Sequence, residues 1–71
     1  MEKKADELFE ELGYIKTEDS DGVYYEYDKE ESIDFWRDTQ SVCCQYDGDL
    51  KEIDMAELKA IYKKCEELGW I

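Results

Sequence analysis

Apolar residues recur at helical spacing near both ends of the chain. Near the start, the apolar positions at i, i+3, i+4 and i+7 are Ala5, Leu8, Phe9 and Leu12. Near the end, the apolar stripe consists of Leu58, Ile61, Tyr62, Cys65 and Leu68. Asp54 and Glu57 have the spacing of a capping box, and Gly13 and Gly69 follow the two stripes as helix-ending residues. The pattern therefore predicts one amphipathic helix at each end.

Between these helices the period changes to two, and proline is absent. The predicted strands are Tyr14 to Thr17, the alternating segments Val23 to Asp28 and Ile33 to Asp38, Ser41 to Tyr46, and a short edge strand at Leu50 to Ile53. We expect residues 1–71 to form a single small α+β domain. Its predicted architecture is a two-layer sandwich with an N-terminal helix, an antiparallel meander of four or five strands and a C-terminal helix.

Alternation along these strands assigns side chains to two faces of the sheet. The face predicted to cover the helices contains Val23, Tyr25, Tyr27, Ile33, Phe35, Val42 and Cys44. The face predicted to point outward contains Tyr24, Glu26, Asp28, Asp34, Trp36, Asp38, Cys43 and Gln45.

The two helix ends read EELGYI (Glu10 to Ile15) and EELGWI (Glu66 to Ile71). An internal duplication is one explanation. The intervening segments do not match, so we interpret both ends as the same general way of ending a helix and packing the exit against it.

Composition argues for a folded chain with an acidic middle. The 71 residues are 42% hydrophobic with ten aromatic residues, which is too rich for a disordered chain despite a net charge of −12. Residues 14–54 hold thirteen acids and four basic residues, a net charge of −9, whereas residues 55–71 are neutral. An acidic surface of this kind attracts a basic protein and disfavours direct nucleic-acid or membrane binding.

Signals for export or for a metal are weak. No run approaches the roughly 20 apolar residues that cross a bilayer, so we expect a cytoplasmic protein. Three cysteines cannot all pair within one chain; Cys44 and Cys65 are expected in the core, and Cys43 is the thiol to test for reactivity. Histidine is absent and Cys43 directly precedes Cys44, which disfavours zinc.

Catalysis is also disfavoured. The segment Asp19 to Gly22 has the alternating aspartates of a calcium loop, but Thr17 and Asp28 stand where the loop should begin and close, so a hairpin turn is the better interpretation. Pairs of carboxylates are abundant, but a domain this small offers little cleft to perturb their pKa values. We therefore expect neither an enzyme nor a cofactor.

Two segments resemble a known group. KADELFEELGY near the start and EIDMAELKAIYKKCEELGWI at the end are similar to small acidic proteins of Firmicutes phages and prophages. The resemblance covers roughly half of the chain. It implies a setting in a mobile element and no catalytic residue.

The acidic segment with its rings suggests recognition of a basic protein. Carboxylates along a strand, with aromatic rings beside them, can occupy a groove that otherwise holds phosphates and stacked bases. We therefore hypothesise a nucleic-acid mimic that inhibits a nucleic-acid-handling host protein, as an anti-CRISPR or other anti-defence inhibitor. The predicted partner-binding residues are Asp19, Asp21, Tyr24, Glu26, Asp28, Asp34, Trp36 and Asp38.

An assembly function is the alternative. In that case the chain forms a homodimer through the sheet face or the edge strand near Ser41 to Tyr46. The rings would then be the centre of the interface and the acids its rim.

Overall fold

The computed structural model describes residues 3–28, 30–46 and 52–71, which contain two helices and four strands. In chain order these elements are α1 (Ala5–Glu11), β1 (Ile15–Glu18), β2 (Gly22–Glu26), β3 (Ser32–Trp36), β4 (Ser41–Gln45) and α2 (Met55–Glu67). The strands form one antiparallel sheet in the order β1-β2-β3-β4. The predicted α+β layout of helix, meander and helix is confirmed.

The predicted fifth strand is only partly open to comparison. Leu50 and Lys51 lie outside the described residues, as do Asp47 to Asp49 of the turn expected before them. Glu52 and Ile53 are described and do not belong to a strand. The backbone is therefore already out of the sheet before Asp54 caps α2.

Both helices end in the same motif, which explains the similar EELG segments. Gly13 (φ 96°) and Gly69 (φ 77°) adopt the left-handed conformation one residue after each C-cap. After α1, the Tyr14 amide donates to the Phe9 carbonyl at 3.0 Å, and after α2 the Trp70 amide donates to the Cys65 carbonyl at 2.9 Å. These are Schellman motifs, which favour the helix-ending interpretation over a duplication.

The start of α2 is also formed as predicted. The Glu57 amide donates to Asp54 Oδ1 at 2.8 Å, and the Asp54 amide donates to Glu57 Oε1 at 3.4 Å, which completes the capping box. The second Glu57 oxygen accepts a hydrogen bond from the Tyr14 hydroxyl at 2.6 Å. The exit of α1 is thereby tied to the entrance of α2.

The core lies between the helices and the inner face of the sheet. The Phe9 ring stacks on Tyr25 with centroids 3.9 Å apart, and Phe35 contacts both rings edge to face. Residues that were predicted to face the helices and are buried are Val23, Tyr25, Ile33 and Phe35. Val42 and Cys44 are partly buried against this cluster.

The prediction for Tyr27 was wrong, because its side chain is 54% exposed. Strand β2 ends at Glu26, so the alternation stops before Tyr27. The Tyr27 amide donates to the Glu31 carbonyl and closes the turn, and its ring lies at the sheet margin against Tyr14, with centroids 5.6 Å apart.

The predicted stripe of α2 was wrong at two positions. Leu58 and Tyr62 are exposed, and the fully or nearly buried residues of this helix are Ala60 and Lys64. Ala60 belongs to the core cluster, and the ammonium of Lys64 lies 5.9 Å from the centroid of the Tyr25 ring. The helix is thus rotated away from the orientation that hydrophobicity alone predicts.

Neither described helix combines the length and the apolar character needed to cross a membrane.

Candidate protein interface on the outer sheet face

The strand register defines an outer sheet face that points away from both helices. Its members on the four strands are Ile15, Thr17, Gly22, Tyr24, Glu26, Ser32, Asp34, Trp36, Ser41, Cys43 and Gln45. None of these strand positions is a lysine or an arginine. Within the strands, the formal charges on this face are therefore negative.

An aromatic pair lies near the middle of the outer sheet face. Tyr24 and Trp36 are both half-buried, and their rings meet edge to face with centroids 5.4 Å apart and planes at 66°. The Tyr24 hydroxyl donates to Asp19 Oδ1 at 2.8 Å. Partial burial and this hydrogen bond raise the pKa of Tyr24 to about 12, so its hydroxyl is a neutral donor at physiological pH.

Glycine at position 22 allows this pair to form beside the neighbouring strand. Gly22 is paired with Trp36 across β2 and β3. A Cβ atom at this position would collide with the Phe35 carbonyl oxygen. The close approach of the two strands therefore requires a residue without a side chain.

Asp34 lies on the outer sheet face as predicted, but its expected exposure was wrong. It is only 6% exposed, because its cross-strand partners are Tyr24 and Cys43 and Trp36 follows two residues along the same face. Gln45 Nε2 donates to Asp34 Oδ2 at 2.7 Å. Asp34 thus contributes a shielded charge and is not a direct contact for a partner.

Three of the predicted acids stabilise turns. Asp19 Oδ1 accepts from the Asp21 and Gly22 amides at 2.8 and 3.1 Å, which confirms the hairpin turn between β1 and β2. Asp28 Oδ1 accepts two backbone amides after β2, and Asp38 Oδ1 accepts the amide of the following residue at 2.8 Å. These are Asx-type contacts, in which a carboxylate satisfies the backbone of a turn.

The hypothesis of carboxylates along a strand, Glu26 with Asp28 and Asp34 with Asp38, was therefore wrong. Strand β2 ends at Glu26 and β3 ends at Trp36, so Asp28 and Asp38 lie beyond the strands. The two residues are also at opposite ends of the sheet, because one follows β2 and the other follows β3.

The acids instead form a group at each end of the outer sheet face. At one end, Asp21 and Asp38 border a shallow depression together with Trp36 and Arg37. At the other end are Glu26 and Asp28. With about 3.3 Å per residue along a five-residue strand, the two groups are roughly 13 Å apart. Among the described residues, the side chains of Asp21 and Glu26 make no hydrogen bond or ion pair.

The described cations near the sheet are paired with acids. Lys16 Nζ donates to Asp6 Oδ2 at 3.0 Å, and Arg37 Nη2 donates to Glu18 Oε2 at 2.7 Å. Lys64 Nζ lies 3.7 Å from Asp6 Oδ1. Lys16 is thereby held on the helix side of the sheet, whereas Arg37, although paired with Glu18, also lines the depression beside Trp36.

Sequence reasoning missed this inner polar cluster. Asp6 Oδ1 also accepts from the Tyr25 hydroxyl at 2.6 Å. Burial opposes ionisation of Asp6, but the hydrogen bonds from Tyr25 and Lys16 outweigh it and hold the pKa of Asp6 below its ordinary value. The parity of Lys16 along β1 was the available signal, since the same alternation that buries Tyr25 places Lys16 on the inner face.

The cysteines are free thiols, and Cys43 is exposed as predicted. Burial raises the pKa of the Cys65 thiol, as expected for a side chain packed against the core. In residues 3–28, 30–46 and 52–71, no group of three or more cysteine, aspartate or glutamate side chains is placed to hold a metal ion. The reactivity of Cys43 stays a prediction.

Comparison of the chain with protein-family models, curated proteins and solved structures gives no match.

Proposed function

We propose that this chain is a phage-type acidic binding protein that inhibits a basic, nucleic-acid-handling host protein through its outer sheet face. It would act by occupancy, without catalysis, as an anti-CRISPR or other anti-defence inhibitor. The phage setting comes from the resemblance of the two terminal segments alone. The separation of charge across the sheet is the observation that supports the binding mode.

Charge separation matters because a basic groove responds to the local field and not to the net charge of a chain. The outer sheet face combines acids at both ends with the Tyr24 and Trp36 rings between them. Lys16, which would weaken that field, is paired with Asp6 on the helix side, and the charge of Arg37, which lies beside Trp36, is compensated by Glu18. This arrangement fits a cationic groove whose centre accepts aromatic rings. Proteins that bind a single nucleic-acid strand have such grooves, with cations for the phosphates and a surface on which bases stack.

The proposed contacts include fewer residues than the eight that the sequence predicts. Asp21, Glu26 and Trp36 have side chains available to a partner, whereas Asp34 is shielded. The acids of the turns, Asp19, Asp28 and Asp38, each use one oxygen on backbone amides and keep their negative charge at the surface. They support the field and position the loops.

A matched pair of charge reversals tests this proposal. The first variant, Asp21→Lys with Glu26→Lys, changes the outer sheet face. The second, Glu7→Lys with Glu10→Lys, applies the same charge change to exposed positions of α1. Circular dichroism establishes that both variants keep the fold.

Binding is then measured on proteins retained by the immobilised chain from a bacterial lysate, with a DNA duplex as competitor. We expect retained basic proteins to be displaced by the duplex and by salt, to be lost with the sheet variant and to be kept with the α1 variant. Equal retention by both variants, or retention that DNA does not reduce, would contradict the proposal.

A further inference from the structure

Helix α2 carries a second apolar surface on the side opposite the core. At 3.6 residues per turn, five residues share this outward side, and we call them the outer ridge of α2: Met55, Leu58, Lys59, Tyr62 and Glu66. The exposed fractions of its large apolar members are 71% for Met55, 48% for Leu58 and 58% for Tyr62. Single exposed apolar residues are ordinary, but three at i, i+3 and i+7 form a continuous strip.

The surroundings of this strip extend it towards α1. A shallow depression between the two helices has an apolar part formed by Leu8 and Tyr62. Its charged lining residues are Lys3, Lys59, Lys63 and Glu66. A second depression is formed by Met55, Leu58 and Tyr62 on the other side. The outer ridge of α2 is therefore bordered by two depressions into which side chains of a facing helix can pack.

We propose that the outer ridge of α2 binds the same ridge of a second copy of this chain, in an antiparallel dimer with two-fold symmetry. Charge favours this occupant. The whole chain carries −12, so two copies repel each other over most of their surfaces. Residues 55–71 hold three acids and three lysines and are neutral, so two copies can approach there with little repulsion.

The ridge is also complementary to itself. Lys59 and Glu66 are exposed and seven residues apart, about two helical turns or roughly 10 Å along the axis. Neither side chain has an ion pair among the described residues. An antiparallel pair centred between positions 62 and 63 brings Lys59 opposite Glu66 of the second copy, and symmetry repeats the contact in reverse. In this register the two Tyr62 side chains meet at the centre, and Leu58 of each copy lies against the last turn of the other helix.

The expected dimer is weak and leaves the sheet free. A 13-residue helix is about 20 Å long, so one helix pair lies at the small end of the range of protein interfaces and we expect dissociation on the order of micromolar. The two outer sheet faces would point away from each other. This dimer does not depend on the proposed function, but if both hold, the pair presents two acidic faces to one target.

Sedimentation equilibrium of the full chain, from about 5 to about 500 µM, tests the dimer without any other partner. We expect the average mass to rise from one chain to two. Tyr62→Glu should weaken association by at least about tenfold, because a carboxylate replaces the apolar centre of the contact. Tyr27→Glu is the matched control, since Tyr27 is 54% exposed but lies at the sheet margin, away from the outer ridge of α2, and should leave the mass curve unchanged.

Exchanging the charges of Lys59 and Glu66 tests the two-fold symmetry of the proposed dimer. Lys59→Glu alone should weaken association several-fold, and Lys59→Glu combined with Glu66→Lys should restore it, because each contact then contains the same pair in reverse. A chain that stays monomeric at the highest concentration would overturn the proposal. So would a dimer that survives Tyr62→Glu, or one that Trp36→Ala dissociates, since that dimer would use the outer sheet face.

Discussion

Phe35 and Trp36 are neighbours in β3 and lie on opposite faces of the sheet. Phe35 is completely buried among Phe9, Tyr25 and Trp70, with no polar group to satisfy. Trp36 is half-buried, contacts one other ring and lies two residues from the shielded carboxylate of Asp34. Both faces use aromatic residues, but the inner face uses them to exclude water, whereas the outer face leaves them partly available.

The polar groups follow the same division. On the inner side, acids are paired with cations or with tyrosine hydroxyls, as Asp6 is with Lys16 and Tyr25. On the outer side, most acids accept backbone amides or extend into solvent, and the shielded Asp34 accepts from the uncharged Gln45 side chain, with no described cation among the strand positions. The inner face is thus compensated in charge and the outer face is not, so an attraction for a basic surface belongs to the outer face.

The largest expected difference between the faces is in stability. Phe35→Ala should lower the free energy of unfolding by about 3–5 kcal/mol, because it opens a cavity that Phe9 and Tyr25 cannot fill. Trp36→Ala should cost about 1–2 kcal/mol, which reflects partial exposure and the loss of one ring contact. Urea unfolding followed by circular dichroism measures both, and equal losses would mean that the outer face is part of the core.

A smaller difference is expected from the two tyrosine hydroxyls. Tyr25→Phe removes the 2.6 Å hydrogen bond to Asp6 and should cost about 1–2 kcal/mol, since the acceptor is charged and part-buried. Tyr24→Phe removes the hydrogen bond to exposed Asp19 and should leave the urea midpoint unchanged. The two variants differ by the same single atom, so a reversed order of their midpoints would contradict the division between the faces.

The smallest expected effect is the contribution of Asp6 to acid stability. Because the pKa of Asp6 is lowered in the folded chain, its contribution is present above its unfolded pKa of about 3.8 and is lost as the pH falls through the lower folded value. The side chain is 47% exposed, so screening keeps this contribution below about 1 kcal/mol.

Urea unfolding midpoints between pH 5 and pH 2 measure this contribution of Asp6 to stability. The slope below pH 4 should be reduced in Asp6→Asn and retained in Glu10→Gln, whose side chain is an exposed acid of the same helix. Part of the slope should remain in Asp6→Asn, because a hydrogen bond from Arg37 also lowers the pKa of Glu18. Identical slopes in the two variants would show that the inner cluster does not hold the Asp6 charge.

Most of the fold could be predicted because its signals are local. The capping box at Asp54, the glycines that end both helices and the alternation through Val23, Tyr25, Ile33 and Phe35 each depend on residues within a few positions of one another. Prediction failed where an element ended early. Tyr27 and Asp28 continue the alternating pattern, but the turn after Glu26 takes them out of the strand.

The sites were less predictable because accessibility depends on neighbours that are distant in sequence. Alternation placed Asp34 on the correct face, but its shielding depends on Tyr24 and Gln45 from the two adjoining strands. Hydrophobicity likewise favoured Tyr62 over Lys64 for the core of α2. The ion pair of Lys64 with Asp6 and its contact with the Tyr25 ring reverse that order.

Two helices, a meander of four or five strands and an acidic middle of the chain could be inferred from the sequence, because local periodicity, capping and formal charge are properties of nearby residues. Where that charge is exposed depends on how the segments pack. Pairing of Lys16 with Asp6 on the helix side leaves the outer sheet face without a strand cation, and rotation of α2 leaves Met55, Leu58 and Tyr62 outside. Both outcomes follow from packing between segments, which no single stretch of the chain specifies.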